Sequence, residues 1–291
     1  MFGFLNVYKP SGMTSFDVVA LLRKITHIKQ IGHTGTLDPF ATGVLPMCIG
    51  KTTRLIEYLP DDKEYIATVK FGFDTDTYDL DGQITKEYNK TVTKEDLEKV
   101  LRMFNGEIEQ YPPKYSAIKV NGKKLYEYAR NGQEVEIKPR KVTVYEIKLL
   151  KFDKDNQTAQ ILIGCSKGTY IRSIAYDIGQ KLDCGAHLIA LERTKAGMFN
   201  LNNAIELCDI NNTSDVEKYL INPIDILSQE KYELSECEKE KVIHGNSIIC
   251  HNDFQNSSMN NIVFLLYSGK IIAVGIRNGN EIKIKKVFEV L

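Results

Sequence analysis

The sequence predicts a mixed α and β chain with a large first domain and a small β-rich second one. Three observations carry this reading. Residues 63–72 alternate polar and apolar side chains with the period of a half-buried strand, and residues 141–152 and 160–165 read the same way. Apolar residues return at helical spacing as Val18, Leu21, Leu22 and Ile25, and again as Ile174, Ile178 and Leu182. Beyond Lys231 that spacing gives way to short apolar runs at 262–266, 271–276 and 282–287, which suit a small barrel. At 291 residues the chain has room for domains at 1–225 and 230–291, with residues 211–225 as their connection.

In chain order, residues 2–8 form a strand that stops at Lys9-Pro10. Ser11-Gly12 turns the chain, and Ser15 caps a helix reaching Lys24. Residues 32–46 read as a loop. Three glycines supply backbone freedom, and two prolines remove donors, so no ladder is expected to run through. Asp38 is the one carboxylate of this stretch, and Pro39 pushes it out of helical conformation. A rigid turn presenting a single acid suits a catalytic group. A surface turn in which Asp38 bonds its own backbone fits the same composition.

Residues 51–59 begin a helix that buries Leu55, Ile56 and Leu59. The acidic run at 74–82 resembles a calcium loop but lacks the terminal glutamate, so it reads as a polar turn. Thr93 caps a helix through Met103. Residues 112–130 interleave lysines with Tyr115, Tyr126 and Tyr128, as a surface gripping RNA does; an amphipathic hairpin and helix with solvated lysines is the alternative. Near 165–174 a strand ends at a glycine turn and a helix follows. Residues 243–246 read as the first short strand of the tail, and 255–261 are too polar to place.

Composition narrows the function classes. The six cysteines are scattered without a C-x-x-C pair and the five histidines lack ligand spacing, which argues against zinc and against a disulfide framework and fits a reducing cytoplasm. No apolar run approaches the ~18 residues of a membrane helix, and the first ten residues lack the basic start of a signal peptide. A phosphate loop ending at Gly50-Lys51-Thr52 is excluded, because Gly43 stands two residues too early. Formal net charge is zero, yet residues 1–60 carry six Lys/Arg against three acids and residues 110–150 nine against four. That asymmetry permits an RNA-binding face.

The string from Gly32 to Arg54, with Gly-His-Thr-Gly-Thr-Leu-Asp-Pro at its head, closely resembles the signature of the TruB-type pseudouridine synthases. The resemblance extends over about residues 3–225. It implies an α/β (α+β) pseudouridine-synthase fold: a mixed, largely antiparallel central sheet flanked by helices, with a PUA-like β-barrel as the tail. It also implies a reaction, the cofactor-free isomerisation of uridine 55 in the tRNA T arm, and allows tRNA-folding chaperone activity besides. Asp38 then becomes the catalytic residue. Lys9 lies beside the active site as a structural residue, and His33 fills the stack vacated by a flipped uridine. Tyr65, in a Lys-x-Tyr motif, lies against the uracil. Tyr170 and Arg172, in Gly-x-Tyr-Ile-Arg, line the pocket and pair with Asp38, favouring its ionised form. Leu191 closes the pocket. Residues 112–141 match the insertion that clamps the T arm, whereas Glu192 stands where a basic residue is usual. The expected partner is tRNA, with no membrane, no metal, no obligatory protein partner and a monomeric state in the cytoplasm. By composition alone, Lys9, His33 and Arg172 read as surface residues and Tyr65 as a half-buried strand aromatic. An RNA-guided synthase and a non-catalytic RNA-binding protein are the rival functions.

Overall fold

A mixed sheet organises the first two-thirds of the chain. Its strands are β1 (Gly3–Lys9), β2 (Ile31–His33), β3 (Thr42–Ile49), β4 (Lys63–Phe71), β5 (Gly106–Gln110), β6 (Arg140–Asp153), β7 (Thr158–Cys165), β8 (Ala186–Ala196) and β9 (Ile205–Glu206). They lie in the order β9-β1-β3-β8-β4-β7-β6-β5, with β2 on β3 and a further two-residue strand, Phe199–Asn200, on β8. The β9–β1 and β3–β8 pairs are parallel, and the other neighbours are antiparallel. The computed structural model describes residues 1–250 and 261–288.

The expected alternation is plain in β4, where Tyr65, Ala67, Val69 and Phe71 are buried and the residues between them are half-buried. Helix α1 (Ser15–Thr26) sets Val18, Val19 and Leu22 into the core beside Leu5, Val7, Leu45 and Met47. Its cap is Thr14, not Ser15: the Thr14 hydroxyl accepts from the Asp17 amide while the Asp17 carboxylate accepts from the Thr14 amide. Ser15 is thereby freed to bond the backbone of Leu37. Helices α2 (Lys94–Leu101), α3 (Leu125–Arg130) and α4 (Ile171–Lys181) follow, with Thr93 capping α2 as expected.

Two further local expectations fail. The loop is shorter than 32–46, because residues 42–49 are a strand. Pro46 pairs with Asn6 of β1, and its carbonyl accepts from the Thr34 amide at 3.1 Å. Proline's fixed φ suits an extended strand, and a ladder position that uses its carbonyl does not miss the absent N–H. Residues 243–246 are not a strand either. They close helix α6 (Glu236–Ile243), preceded by α5 (Thr213–Lys218); Ser235 and Glu238 form a capping box at the start of α6. The 51–59 helix is of the 3₁₀ type, running Gly50–Tyr58.

The tail forms a second sheet from β10 (Glu230–Glu233), β11 (Ile248–Ile249), β12 (Ile262–Tyr267), β13 (Lys270–Asn278) and β14 (Glu281–Val287), in the order β10-β12-β13-β14-β11. Of the stretch 255–261, only Asn261 lies within the described residues. The two sheets share apolar contacts. Phe4, Cys48, Leu55 and Tyr58 pack with Phe264, Leu266, Val274 and Phe288, and Tyr58 meets Phe264 edge-on at 5.5 Å. Lys51 and Arg54 donate to the carbonyls of Phe288 and Val287. Residues 211–225 are themselves bound to the first sheet and α1: Phe4 and Ile221 exchange backbone hydrogen bonds, and the Thr213 hydroxyl donates to Ile25 O.

Cutting the chain after Gln229 would therefore uncover core, not detach a tethered module. At about 1.5–3 kcal/mol for each large apolar side chain uncovered, the truncated chain should unfold at distinctly lower denaturant than the full chain. An unchanged midpoint in a urea melt would show that the shared packing contributes nothing.

Candidate active site

The loop at residues 34–41 is held from several directions. The Ser15 hydroxyl accepts from the Leu37 amide at 2.8 Å and donates to the Leu37 carbonyl at 3.2 Å. Pro39 O accepts from the Gly12 amide and from Lys9 Nζ, and Phe40 O from the Ser11 hydroxyl. Lys9 is fully buried and also donates to Pro10 O and Met13 O; burial drags its ammonium down to about 8, against the pull of Asp38. The buried Leu37 side chain pins the loop from beneath. Asp38, turned outward, keeps 33% of its side chain exposed.

Arg172 meets it from the first turn of α4. Its Nη2 donates to Asp38 Oδ1 at 3.1 Å, and its Nε stands 3.0 Å from Oδ2 in ion-pair contact without hydrogen-bond alignment. The same guanidinium donates from Nη1 to Asp79 Oδ2 at 3.1 Å and to Thr77 O, and from Nη2 to Tyr115 O at 3.0 Å. Asp79 is held in turn by the Thr77 hydroxyl and the Asp81 amide on its other oxygen. The start of α4 is anchored by Gln110, whose side chain bonds both the N–H and the C=O of Tyr170.

The carboxylate looks into a cleft of about 990 Å³. Tyr65, Tyr170, Arg172 and Leu191 line it with Asp38, and Arg130 and Lys167 are among its basic lining groups. Tyr65 and Leu191 are nearly buried, on neighbouring strands β4 and β8. Lys9 and His33 do not line this cleft: Lys9 sits behind the loop, and His33 ends β2 opposite Met47. Glu192 is taken by the Tyr8 hydroxyl at 2.8 Å.

Burial pushes the Asp38 carboxyl above its usual range; Arg172 pulls it down and Asp79 pushes it back up. The expectation that Arg172 would favour the ionised form accounts for one of these influences, and burial outweighs it. The Tyr65 phenol is likewise pushed up by burial, with Arg193 opposing.

The pattern of the TruB family pseudouridylate synthase N-terminal domain matches residues 23–171, and that of the tRNA pseudouridylate synthase B C-terminal domain matches residues 172–227. The chain is 44% identical to the tRNA pseudouridine synthase B of Clostridium novyi, over 99% of both chains. It is 44% identical to the protein of that name from Caldanaerobacter subterraneus, over 98% of this chain and 99% of that one. The chain belongs to the TruB family of pseudouridylate synthases. Among solved structures, a chain of a Cbf5–Nop10–Gar1 complex superposes with a TM-score of 0.71 at 26% identity, covering 99% of this chain and 85% of that one. A chain of an H/ACA ribonucleoprotein bound to a substrate RNA containing 2′-deoxyuridine gives 0.69 at 25%, with the same coverage. The mixed sheet and β-rich tail expected of a TruB-family fold are thus present.

Two residues of this TruB-family site escaped the sequence reading. Asp79 lay within an acidic run read as a polar turn, and the Thr-x-Asp spacing through which Thr77 holds its carboxylate was its only local signal. Arg193 lay in a string read for Leu191 and Glu192, yet it is fully buried and donates to three backbone carbonyls.

The two partners of Arg172 imply opposite responses. In a carbon-13 NMR titration the Asp38 carboxyl should titrate above the ordinary value near ~3.9. Asp79→Asn, which removes a like charge, should lower that midpoint; Arg172→Gln, which removes the cation, should raise it. Shifts of the same sign would show that the triad does not act electrostatically.

Proposed function

We propose that this TruB-family chain isomerises uridine 55 of the tRNA T arm to pseudouridine, with Asp38 as the catalytic residue. The observation that carries this is Asp38 itself: a partly exposed carboxylate at the floor of a nucleotide-sized cleft, gripped by a buried arginine. The relatives named tRNA pseudouridine synthase B support tRNA as the substrate class.

The reaction separates N1 of uracil from C1′ of the ribose, turns the base and joins C5 to C1′. As the base leaves, C1′ becomes electron-poor, and an ionised carboxylate beside it can bond C1′ or take a neighbouring sugar proton. Arg172 opposes the tendency of burial to neutralise Asp38. The uridine must leave its stack to reach the cleft, at a cost of a few kcal/mol. His33 fills the vacated place, Tyr65 and Leu191 bracket the uracil, and Tyr170 lines the opening. Lys9 acts on the chemistry only by fixing the Pro39 carbonyl behind Asp38. Once C5 is bound to C1′ it still carries a proton, and Tyr65 takes it. The insertion near 112–141 grips the T arm as a monomer without an obligatory protein partner. Its lysines favour this stand-alone reading over an RNA-guided one. The same grip would assist tRNA folding even without chemistry.

Incubating unmodified tRNA with the purified chain and mapping pseudouridine tests the assignment. Product at position 55 is expected, and its absence would sink it. Asp38→Asn should abolish product while leaving tRNA affinity within a few-fold. Changing Lys119, Lys123, Lys124 and Arg130 to alanine should flatten the salt dependence of binding, by roughly 0.7 to 0.9 in slope for each phosphate no longer neutralised. An unchanged slope would make this segment a solvated surface.

A further inference from the structure

Arg193 is the largest fully buried side chain of the first domain, and the chemistry proposed for Asp38 and Tyr65 leaves it without a role. It sits on β8 with Gly43 of β3 as its partner on one side and Tyr65 of β4 on the other. Its Nε donates to Val44 O at 2.7 Å, Nη2 to Gly35 O at 3.0 Å and Nη1 to Thr36 O at 3.4 Å. These carbonyls lie on both sides of Asp38 in sequence, so one guanidinium ties the two arms of the catalytic loop together. The fit is close: a Cβ on Gly43 would come within 2.3 Å of Arg193 O, and one on Gly35 within 3.6 Å of Nη1.

Among the described residues no carboxylate pairs with Arg193. Burying a cation that only carbonyl dipoles offset is costly, and neutral donors could staple a loop without that cost. The surroundings feel the charge. Burial and Arg193 together push Lys63 and His33 down. Lys9 is pushed down in the same way, against Asp38. For Tyr65 the two oppose each other, burial holding the phenol protonated and Arg193 favouring tyrosinate. The other groups influencing that phenol are Cys165 of β7 and Asp38 of the loop, both of which raise it, so Arg193 is the cation that offsets them.

We propose that Arg193 is a positioning residue for the isomerisation: while bracing the Asp38 loop, it holds a positive charge against Tyr65 as that residue takes the C5 proton. This rests on the function proposed above. In the step concerned the C5–H bond breaks and its proton passes to the Tyr65 oxygen. The electron pair forms C5=C6, and the C6=N1 pair returns to N1, which takes a proton. The phenolic proton that Tyr65 gives up in exchange leaves through water in the cleft. Negative charge grows on the tyrosine oxygen as its own proton departs, and a fixed guanidinium stabilises it without rearrangement.

Single-turnover rates on tRNA made with either 5-protio or 5-deuterio uridine separate this role from loop bracing. Arg193→Gln should slow the reaction roughly 10-fold or more, since acid–base steps commonly contribute at least ~10²-fold. It should also raise the protio-to-deuterio rate ratio above that of the wild type, because the proton step becomes limiting. Arg193→Lys, which keeps a charge but not the fork, should recover part of the rate and bring the ratio back toward wild type. Equal losses in both variants with an unchanged ratio would leave Arg193 a loop brace only and overturn the proposal. If a thermal melt shows that Arg193→Gln does not fold, Arg193→Lys carrying 3-fluorotyrosine at position 65 replaces it. The more acidic phenol should then restore rate, and no restoration overturns the proposal. Wild-type chain that forms no pseudouridine in tRNA would instead refute the underlying function, whatever the arginine variants do.

Discussion

The guanidinium of Arg172 is shared between two carboxylates, and the site depends on that sharing. Asp38 comes from the loop after β2, Asp79 from the turn after β4, and Arg172 from the start of α4. No two of these residues are near in sequence. Arg172 and Asp79 are both about 6% exposed, so either charge left alone would be costly. Together they form a set in which the arginine has five acceptors within reach, two of them the backbone carbonyls of Thr77 and Tyr115. Asp38 is the partner with exposed surface. The charge that the fold confines is thus available to substrate at one point.

The supporting structure serves that point. Lys9, Ser15 and Arg193 each reach the loop from a different element, and most of their hydrogen bonds go to its backbone. A loop held by its carbonyls and amides keeps its side chains free, which suits presenting a carboxylate in one orientation. The Tyr115 carbonyl on Arg172 also ties the site to the segment that leads into α3. On the far side of the sheet, Phe4, Leu55 and Tyr58 are covered by Phe264 and Phe288 of the tail, which makes the tail part of the core that supports β1 and β3.

Much of this was legible in the sequence, because local patterns report local physics. The period of two in residues 63–72, the Thr93 cap and the apolar spacing of α1 and α4 each arise from a few neighbouring residues, and the structure contains all of them. The Gly-His-Thr-Gly-Thr-Leu-Asp-Pro string also marked the chain as a synthase, since a loop needing glycines at fixed places and one acid leaves few alternative sequences. Pairing overturned the local signals of residues 42–49. Gly43 and Pro46 argue for a loop, but β1 and β2 both pair with this stretch, and the carbonyl that Pro46 retains accepts from the Thr34 amide.

What only the tertiary structure decided is where the charges go. Beyond the Thr-x-Asp spacing at Asp79, nothing within that run, or within the string containing Arg193, distinguishes a solvated charge from a buried one. The difference is made by β8 lying between β3 and β4, which seals Arg193 inside, and by α4 packing its first turn over the 74–82 turn, which seals Asp79. Both depend on residues more than ninety positions apart, a separation at which no sequence period carries information. The sequence by itself determined most of the element types and the family; the net balance at Asp38, with burial prevailing over its arginine, was settled by the packing around it.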